Sequence, residues 1–304
     1  MAQKEKEATK EKYTIVVPIA NPETQRGLLE TANAVANQKK EPEILALNIL
    51  PIPTQVSPRQ AKEFEKKRLE NQKKMLEHSK DIIAEETPVR TRGIISRSIS
   101  ETILDVVEEE EANELIIGWE GRLSKRDYIF GSKIDLIVRN APCETTVVKI
   151  GPAKFKDIVA LVGDGPNAPL AIEKAYQLHK YTELSKLTLL RIQEKKEDKK
   201  RQREKGQEII KKAAEKTSIP EEEYQSKIEV AQNQNIEQAL LKQTENYDTV
   251  CLGGTRRKPL QRTLFGTLPE KIAHETDDTV LMTKKPFKES FLDKIINRFQ
   301  KFIR

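Results

Sequence analysis

Aromatic residues make up only 5% of the 304-residue chain, and it has two cysteines and three histidines. Its net charge of +6 is spread over 54 basic and 48 acidic residues. A nucleic-acid surface needs stacking side chains and a concentrated positive face, so no nucleic-acid partner is expected. Cys143 and Cys251 lie far apart in apolar surroundings, which suits free thiols in a reducing compartment better than a disulfide framework. His78, His179 and His274 are isolated from one another and from the cysteines, so no metal-ligand spacing arises and no metal site is expected. No run approaches the roughly 18 consecutive apolar residues of a membrane-spanning helix. Residues 1–12 lack the apolar core of a signal peptide. The expectation is a soluble chain working in the cytoplasm.

Hydrophobic residues reach 37% and charged residues 34%, enough for compact cores if the apolar side chains cluster. The chain length favours two domains. Short apolar runs alternate with helical periodicity: 13–19, 44–50, 89–95, 114–117 and 145–149 read as strands, with helices over 23–38, 58–86, 100–110 and near 133–139. The order then repeats. Ile15–Ala20 aligns with Ile158–Gly163 and Ile44–Ile49 with Leu187–Ile192, both at an offset of 143. Ile116–Trp119 aligns with Cys251–Gly254 and Phe130–Ser132 with Phe265–Thr267, both at 135. The chain is a tandem duplication. Near-continuous apolar strands are buried on both faces, so the fold class is α/β: two doubly wound domains at 13–150 and 157–286, a linker at 151–156 and a charged tail at 1–12. Edge strands need covering, and a duplicated chain satisfies a two-fold contact internally. The two copies are therefore expected to pair through their last strands, Thr145–Lys149 and Thr279–Lys284.

In such sheets ligands bind beyond the carboxyl ends of the strands. After the fourth strand of the first copy stand Gly118-Trp119-Glu120-Gly121, nine further residues, then Gly131-Ser132 at the start of a helix. Glycines permit close backbone approach, and a helix N-terminus offers free N–H groups to phosphate oxygens, joined here by the Ser132 hydroxyl. Glycines at such turns also serve simply to lead a strand into a helix.

This Gly-x2-Gly-x9-Gly-Ser pattern resembles that of the universal stress protein family, over nearly all of 13–149 and more weakly over 157–285. The resemblance implies a five-stranded parallel sheet of order 3-2-1-4-5 in each copy and ATP or a related adenine nucleotide as ligand, with Mg2+ only as its companion. It assigns Gly118, Gly121, Gly131 and Ser132 to the phosphates. ATP-binding members follow their first strand with an aspartate near the base; the first copy has Ala20-Asn21 there. The second copy has the opposite departure, supplying Asp164 but reading Gly253-Gly254-Thr255-Arg256, with arginine in place of the second loop glycine, before Gly266-Thr267. Its site residues are Asp164, Gly253, Arg256, Gly266 and Thr267, and weaker binding than in the first copy is expected. Arg256 either blocks the pocket or donates to an anion.

The wording Gly118-Trp119-Glu120-Gly121, Arg126-Asp127-Tyr128, Gly131-Ser132 and Ala141-Pro142-Cys143 also looks like that of the stress-protein domains appended to amino acid, polyamine and organocation transporters, prokaryotic cation-chloride cotransporters included. It implies a regulatory module at the inner face of a membrane, free-standing or cut from a transporter. Residues 287–304 place Phe287, Phe291, Leu292, Ile295, Ile296, Phe299 and Ile303 on one helical face, with five basic against two acidic residues. This amphipathic tail either folds back or meets a membrane surface or partner. No Gly-x4-Gly-Lys-Ser/Thr loop and no catalytic constellation is recognisable, so no catalytic residue is named and no enzyme is expected. The leading reading is a non-catalytic, nucleotide-responsive module built as an intramolecular pseudo-dimer, with a homodimer left open. A docking pseudo-dimer with decayed pockets is the alternative, and a slow ATP hydrolase the third.

Overall fold

The computed structural model describes residues 12–83, 87–119, 132–152, 155–194, 198–231, 236–254, 265 and 267–286. The expected tail helix at 287–304 lies outside them. In the first copy β1 (Tyr13–Pro18) leads through α1 (Pro22–Ala36) to β2 (Pro42–Pro51). Then α2 (Pro58–Phe64) and α3 (Lys66–Ile82) return to β3 (Val89–Ser96). Next come α4 (Ile99–Glu109), β4 (Glu114–Gly118), α5 (Ser132–Asn140) and β5 (Glu144–Lys149). The second copy repeats the plan as β6 (Asp157–Leu161), α6 (Ala168–Tyr181), β7 (Lys186–Glu194), α7 (Lys199–Lys216) and β8 (Gln225–Ala231), followed by α8 (Ile236–Thr244), β9 (Thr249–Gly253), α9 (Thr267–Glu275) and β10 (Thr279–Lys284).

Local chemistry explains the helix boundaries. Asn21 accepts the Glu23 N–H at 2.9 Å, and Pro22 takes the first helical position, where no donor is needed, so α1 starts there. The stretch expected as one helix over 58–86 divides at Glu65, whose backbone (φ −100°, ψ 28°) leaves the helical region. Ser57 and Gln60 cap each other's backbone to open α2. The charged α3 adds buried hydrogen bonds to the apolar contacts of Leu76 and Met75: Gln25 on α1 donates to the Met75 carbonyl at 2.7 Å and the Ser79 hydroxyl at 2.9 Å.

Each copy has the strand order 3-2-1-4-5, and the two sheets are continuous, giving β3-β2-β1-β4-β5-β10-β9-β6-β7-β8. Pairing is parallel throughout except at the junction, where β5 and β10 run antiparallel from Val280 opposite Lys149 to Lys284 opposite Thr145. The two last strands thus cover each other's edges. One apolar core lies on each face of the sheet and spans both copies. The first joins Leu29 and Ala32 of α1 to Ile172 and Ala175 of α6; the second joins Ile103 and Val106 of α4 to Leu240 and Ile272 of α8 and α9. Each fully buried leucine, isoleucine or valine side chain contributes about 1.5–3 kcal/mol. Among the described residues no helix is long and apolar enough to cross a membrane.

Candidate nucleotide site

In the second copy the carboxyl ends of β6, β7 and β9 open on a cavity of about 250 Å³. Its walls are mostly apolar, with Leu240 of α8, Leu252 of β9 and Ile272 of α9 among them, and the loop Gly163-Asp164-Gly165 completes the lining. Among the described residues an added Cβ would meet nothing nearer than 3.9 Å at Gly163 and 3.7 Å at Gly165. Packing of those residues therefore does not demand glycine at either place.

Charge enters the cavity through Arg191 on β7. Its Nη1 donates to the Val162 carbonyl at 2.9 Å and its Nη2 to Asp164 Oδ2 at 3.0 Å, while its buried Nε has no partner among the described residues. The arginine is 12% exposed and the aspartate 79%, so the pair reaches from the wall to solvent. The arrangement can hold a flat apolar body against α8 and α9 and offer it a donor and an acceptor at one edge.

The glycines expected to face phosphate divide. A Cβ on Gly253 would lie 2.4 Å from the Asn167 carbonyl carbon, and one on Gly118 would lie 2.9 Å from Leu28 Cδ1. Both glycines let the helix after the first strand approach the fourth strand, and that packing accounts for them without a ligand. Gly253 also lines the cavity, as does Asp164, whereas Gly118 ends β4 in the other copy. Ser132 and Thr267 are the first residues of α5 and α9, at the helix starts the motif requires. Gly121, Gly131, Arg256 and Gly266 lie outside the described residues.

The equivalent corner of the first copy is built differently. Asn48 occupies the place of Arg191 at the offset of 143, and its Nδ2 donates to the Ile19 carbonyl at 2.6 Å just as Arg191 donates to Val162. Gln72 of α3 then donates to the Asn48 carbonyl at 2.9 Å and to its Oδ1 at 3.0 Å. Buried amides, all paired, fill the position where the second copy has an arginine facing a cavity.

Sequence inspection passed over Arg191, Asn48 and Asn167. Asn167 ties the site together: its Nδ2 donates to the Gly254 carbonyl at 2.7 Å and its Oδ1 accepts the Lys285 N–H at 3.0 Å. Arg191 carried a readable signal, a charged residue inside an apolar strand whose repeat partner is Asn48. Burial pushes the Cys143 thiol up to about 12, helped by the nearby Glu114 charge, and raises Cys251 as well. Both are free and buried, so neither is a reactive thiol. Among the described residues no group of three acidic, histidine or cysteine side chains is placed to hold a metal.

Comparison with known proteins agrees with the fold. No curated protein matches the chain. A universal stress protein from Archaeoglobus fulgidus DSM 4304 aligns with 91% of the chain and 97% of its own length, at 14% identity and a TM-score of 0.63. The cytoplasmic domain of a prokaryotic cation chloride cotransporter also covers 91% of the chain and 97% of its own length, at 12% identity and a TM-score of 0.58. A shorter universal stress protein from Archaeoglobus fulgidus, solved in complex with dAMP, covers 44% of the chain and 96% of its own length, at 15% identity and a TM-score of 0.32. The family pattern itself, Usp, matches twice, over residues 13–149 and 154–284, and on that evidence the chain belongs to the universal stress protein family, as two copies in tandem.

Proposed function

We propose that the chain is a non-catalytic regulatory module that binds an adenine nucleotide, ATP or a close relative, with Mg2+ only as the nucleotide's counter-ion. The observation that carries this reading is the cavity at the carboxyl ends of β6, β7 and β9, the position where doubly wound sheets bind ligands. At about 250 Å³ it is slightly smaller than the roughly 300–1,000 Å³ of drug-sized sites, so it suits a base and sugar, with phosphates directed toward the loop that precedes α9. The apolar walls fit a base, and the space that the described residues leave beside Gly163 and Gly165 fits close approach of a ribose. The first copy supplies the fuller glycine motif, Gly118, Gly121, Gly131 and Ser132, and is a second site in this reading. Response to nucleotide requires different affinity for two states of the module.

The transporter connection rests on the motif wording at 118–143, and it assigns the module to the cytoplasmic face of a membrane with residues 287–304 meeting lipid or a partner. Sedimentation with anionic vesicles, comparing the intact chain with one ending at Pro286, tests the lipid part: equal pelleting excludes it. Calorimetry tests the nucleotide reading. With ATP at millimolar concentration the intact chain should bind, Leu240→Trp should remove binding in the second copy by filling the cavity, and Gly121→Arg should remove it in the first. No heat from the intact chain, or heat unchanged by both substitutions, overturns the reading and leaves a docking pseudo-dimer.

A further inference from the structure

The two copies meet across a pseudo-two-fold axis, and the strand pairing at the junction is symmetric about Val147 opposite Met282. Lys149 of β5 donates to the Thr276 carbonyl beyond α9, while Lys284 of β10, its counterpart at the offset of 135, donates to the Val138 carbonyl of α5. The strands between are apolar on both sides, Val147 and Val148 facing Met282 and Leu281 in register. Symmetric contacts of this kind fit a copy to its own kind as well as to the other copy.

Of the contacts that are not symmetric, one is fully buried. Lys174 of α6, fully buried, places its Nζ 2.5 Å from Oε2 of Glu114 at the start of β4, also fully buried, and 3.8 Å from Glu144. Glu114 further accepts the Thr146 hydroxyl at 2.9 Å and the Tyr13 hydroxyl at 3.3 Å. Strand register identifies the counterparts: Ile15 stands opposite Glu114 and Ile158 opposite Thr249, and Glu114 pairs with Glu144 as Thr249 pairs with Thr279. At the offset of 143 the counterpart of Lys174 is Thr31. Thr31 and Thr249 are fully buried too, but each is satisfied locally, Thr31 donating to the Gly27 carbonyl and Thr249 to Asp248 Oδ1, both at 2.7 Å. On one side of the axis lysine meets glutamate; on the other the two equivalent positions are threonines, each bonded within its own copy.

We infer that the Lys174–Glu114 pair makes this edge accept the other copy and reject a second copy of its own kind. First copies paired between two chains would set Thr31 against Glu114, burying a carboxylate without its cation. Second copies would set Lys174 against Thr249, burying an ammonium without its anion. A buried charge that loses its partner is strongly destabilising, so both exchanged arrangements are disfavoured and the partner selected is the other half of a chain of this kind. The same pair leaves open an exchange in which the first copy of one chain takes the second copy of another, and this supplies the test.

Full-length K174E and E114K are unfolded in denaturant and refolded separately and as an equal mixture, with mass read by light scattering after size exclusion. Like charges oppose each other within either variant alone. In the mixture the first copy of K174E, still carrying Glu114, complements the second copy of E114K, still carrying Lys174. A one-to-one species of twice the chain mass, at least tenfold more abundant in the mixture than in either variant alone, is the expected result. E114Q/K174M, which removes both charges at nearly constant volume, guards against failure of the single variants to fold: it should refold as stably as the unaltered chain yet give at least tenfold more dimer paired through like copies at high concentration. No new species in the mixture, together with E114Q/K174M forming no more dimer than the unaltered chain, would overturn the inference.

Discussion

The two copies have kept the same frame and diverged at its corners. Asn113 anchors the Thr14 N–H in the first copy, and Asp248 anchors the Asp157 N–H at the matching place in the second. The N–H of Trp119 meets the Val148 carbonyl at 2.8 Å, and that of Gly254 meets the Thr283 carbonyl at 2.9 Å. Backbone geometry of this kind is set by strand register and resists change, because slipping a strand by one residue turns its buried face to solvent. Side chains beyond the strand ends are not so bound. There one copy has the paired amides of Asn48 and Gln72, and the other has Arg191, Asp164 and a cavity. The same frame thus carries two different sets of side chains at its matching corners.

That comparison is broken most severely at the junction. Lys174→Met in the full chain leaves the Glu114 carboxylate buried without its cation and should cost about 3–5 kcal/mol of unfolding free energy in denaturant titration, whereas Thr31→Val, at the matching place, should stay within about 1 kcal/mol. Equal effects would remove the asymmetry. Next come the matching glycines. Gly253→Ala drives a Cβ into the Asn167 backbone at 2.4 Å, while Gly118→Ala meets only the movable end of Leu28 at 2.9 Å. The expected losses of stability are about 3 kcal/mol and about 1 kcal/mol. Thermal unfolding of both variants checks the order.

At the ligand corner the effects are smaller in stability and larger in binding. Arg191→Ala releases the Val162 carbonyl and Asp164, for about 1–2 kcal/mol of stability, and should weaken nucleotide binding in the second copy at least tenfold. Asn48→Ala should cost a similar amount through the freed Ile19 carbonyl and the lost side-chain acceptor of Gln72, and leave that binding unchanged. The smallest effect is one of pH. Burial tends to raise the Glu43 carboxyl, but Lys12 and Arg90 beside it outweigh burial and hold it below the ordinary value of 4.5. A carboxylate lowered on folding adds stability that is fully present above pH 4.5 and is lost as pH falls through the folded value. Arg90→Met should therefore flatten the loss of stability between pH 4.5 and lower pH measured by denaturant titration; an unchanged slope would show that the pair contributes nothing.

Much of the frame was legible in the sequence, since apolar runs of four to six residues at repeated offsets leave few alternatives to paired βαβ units. The division of α2 from α3 was not, because Glu65 is no helix breaker and propensity gives no sign of its non-helical conformation. Glycine positions were legible too, but their reasons were not: Gly253 and Gly118 make room for a neighbouring helix or side chain, and only coordinates show what an added Cβ would strike. The cavity depends on residues drawn from β6, β7, α8, β9 and α9, which lie far apart along the chain. Lys174 hid among the apolar positions of α6 because its partner Glu114 belongs to the other copy.

The central claim, an open nucleotide corner in the second copy, is met most directly by mass spectrometry of the freshly purified chain after denaturation, run beside Leu240→Trp. The account predicts an adenine nucleotide released from the intact chain and substantially less from Leu240→Trp, with both proteins folded by circular dichroism. Equal release from the two, or none from the intact chain, would contradict it.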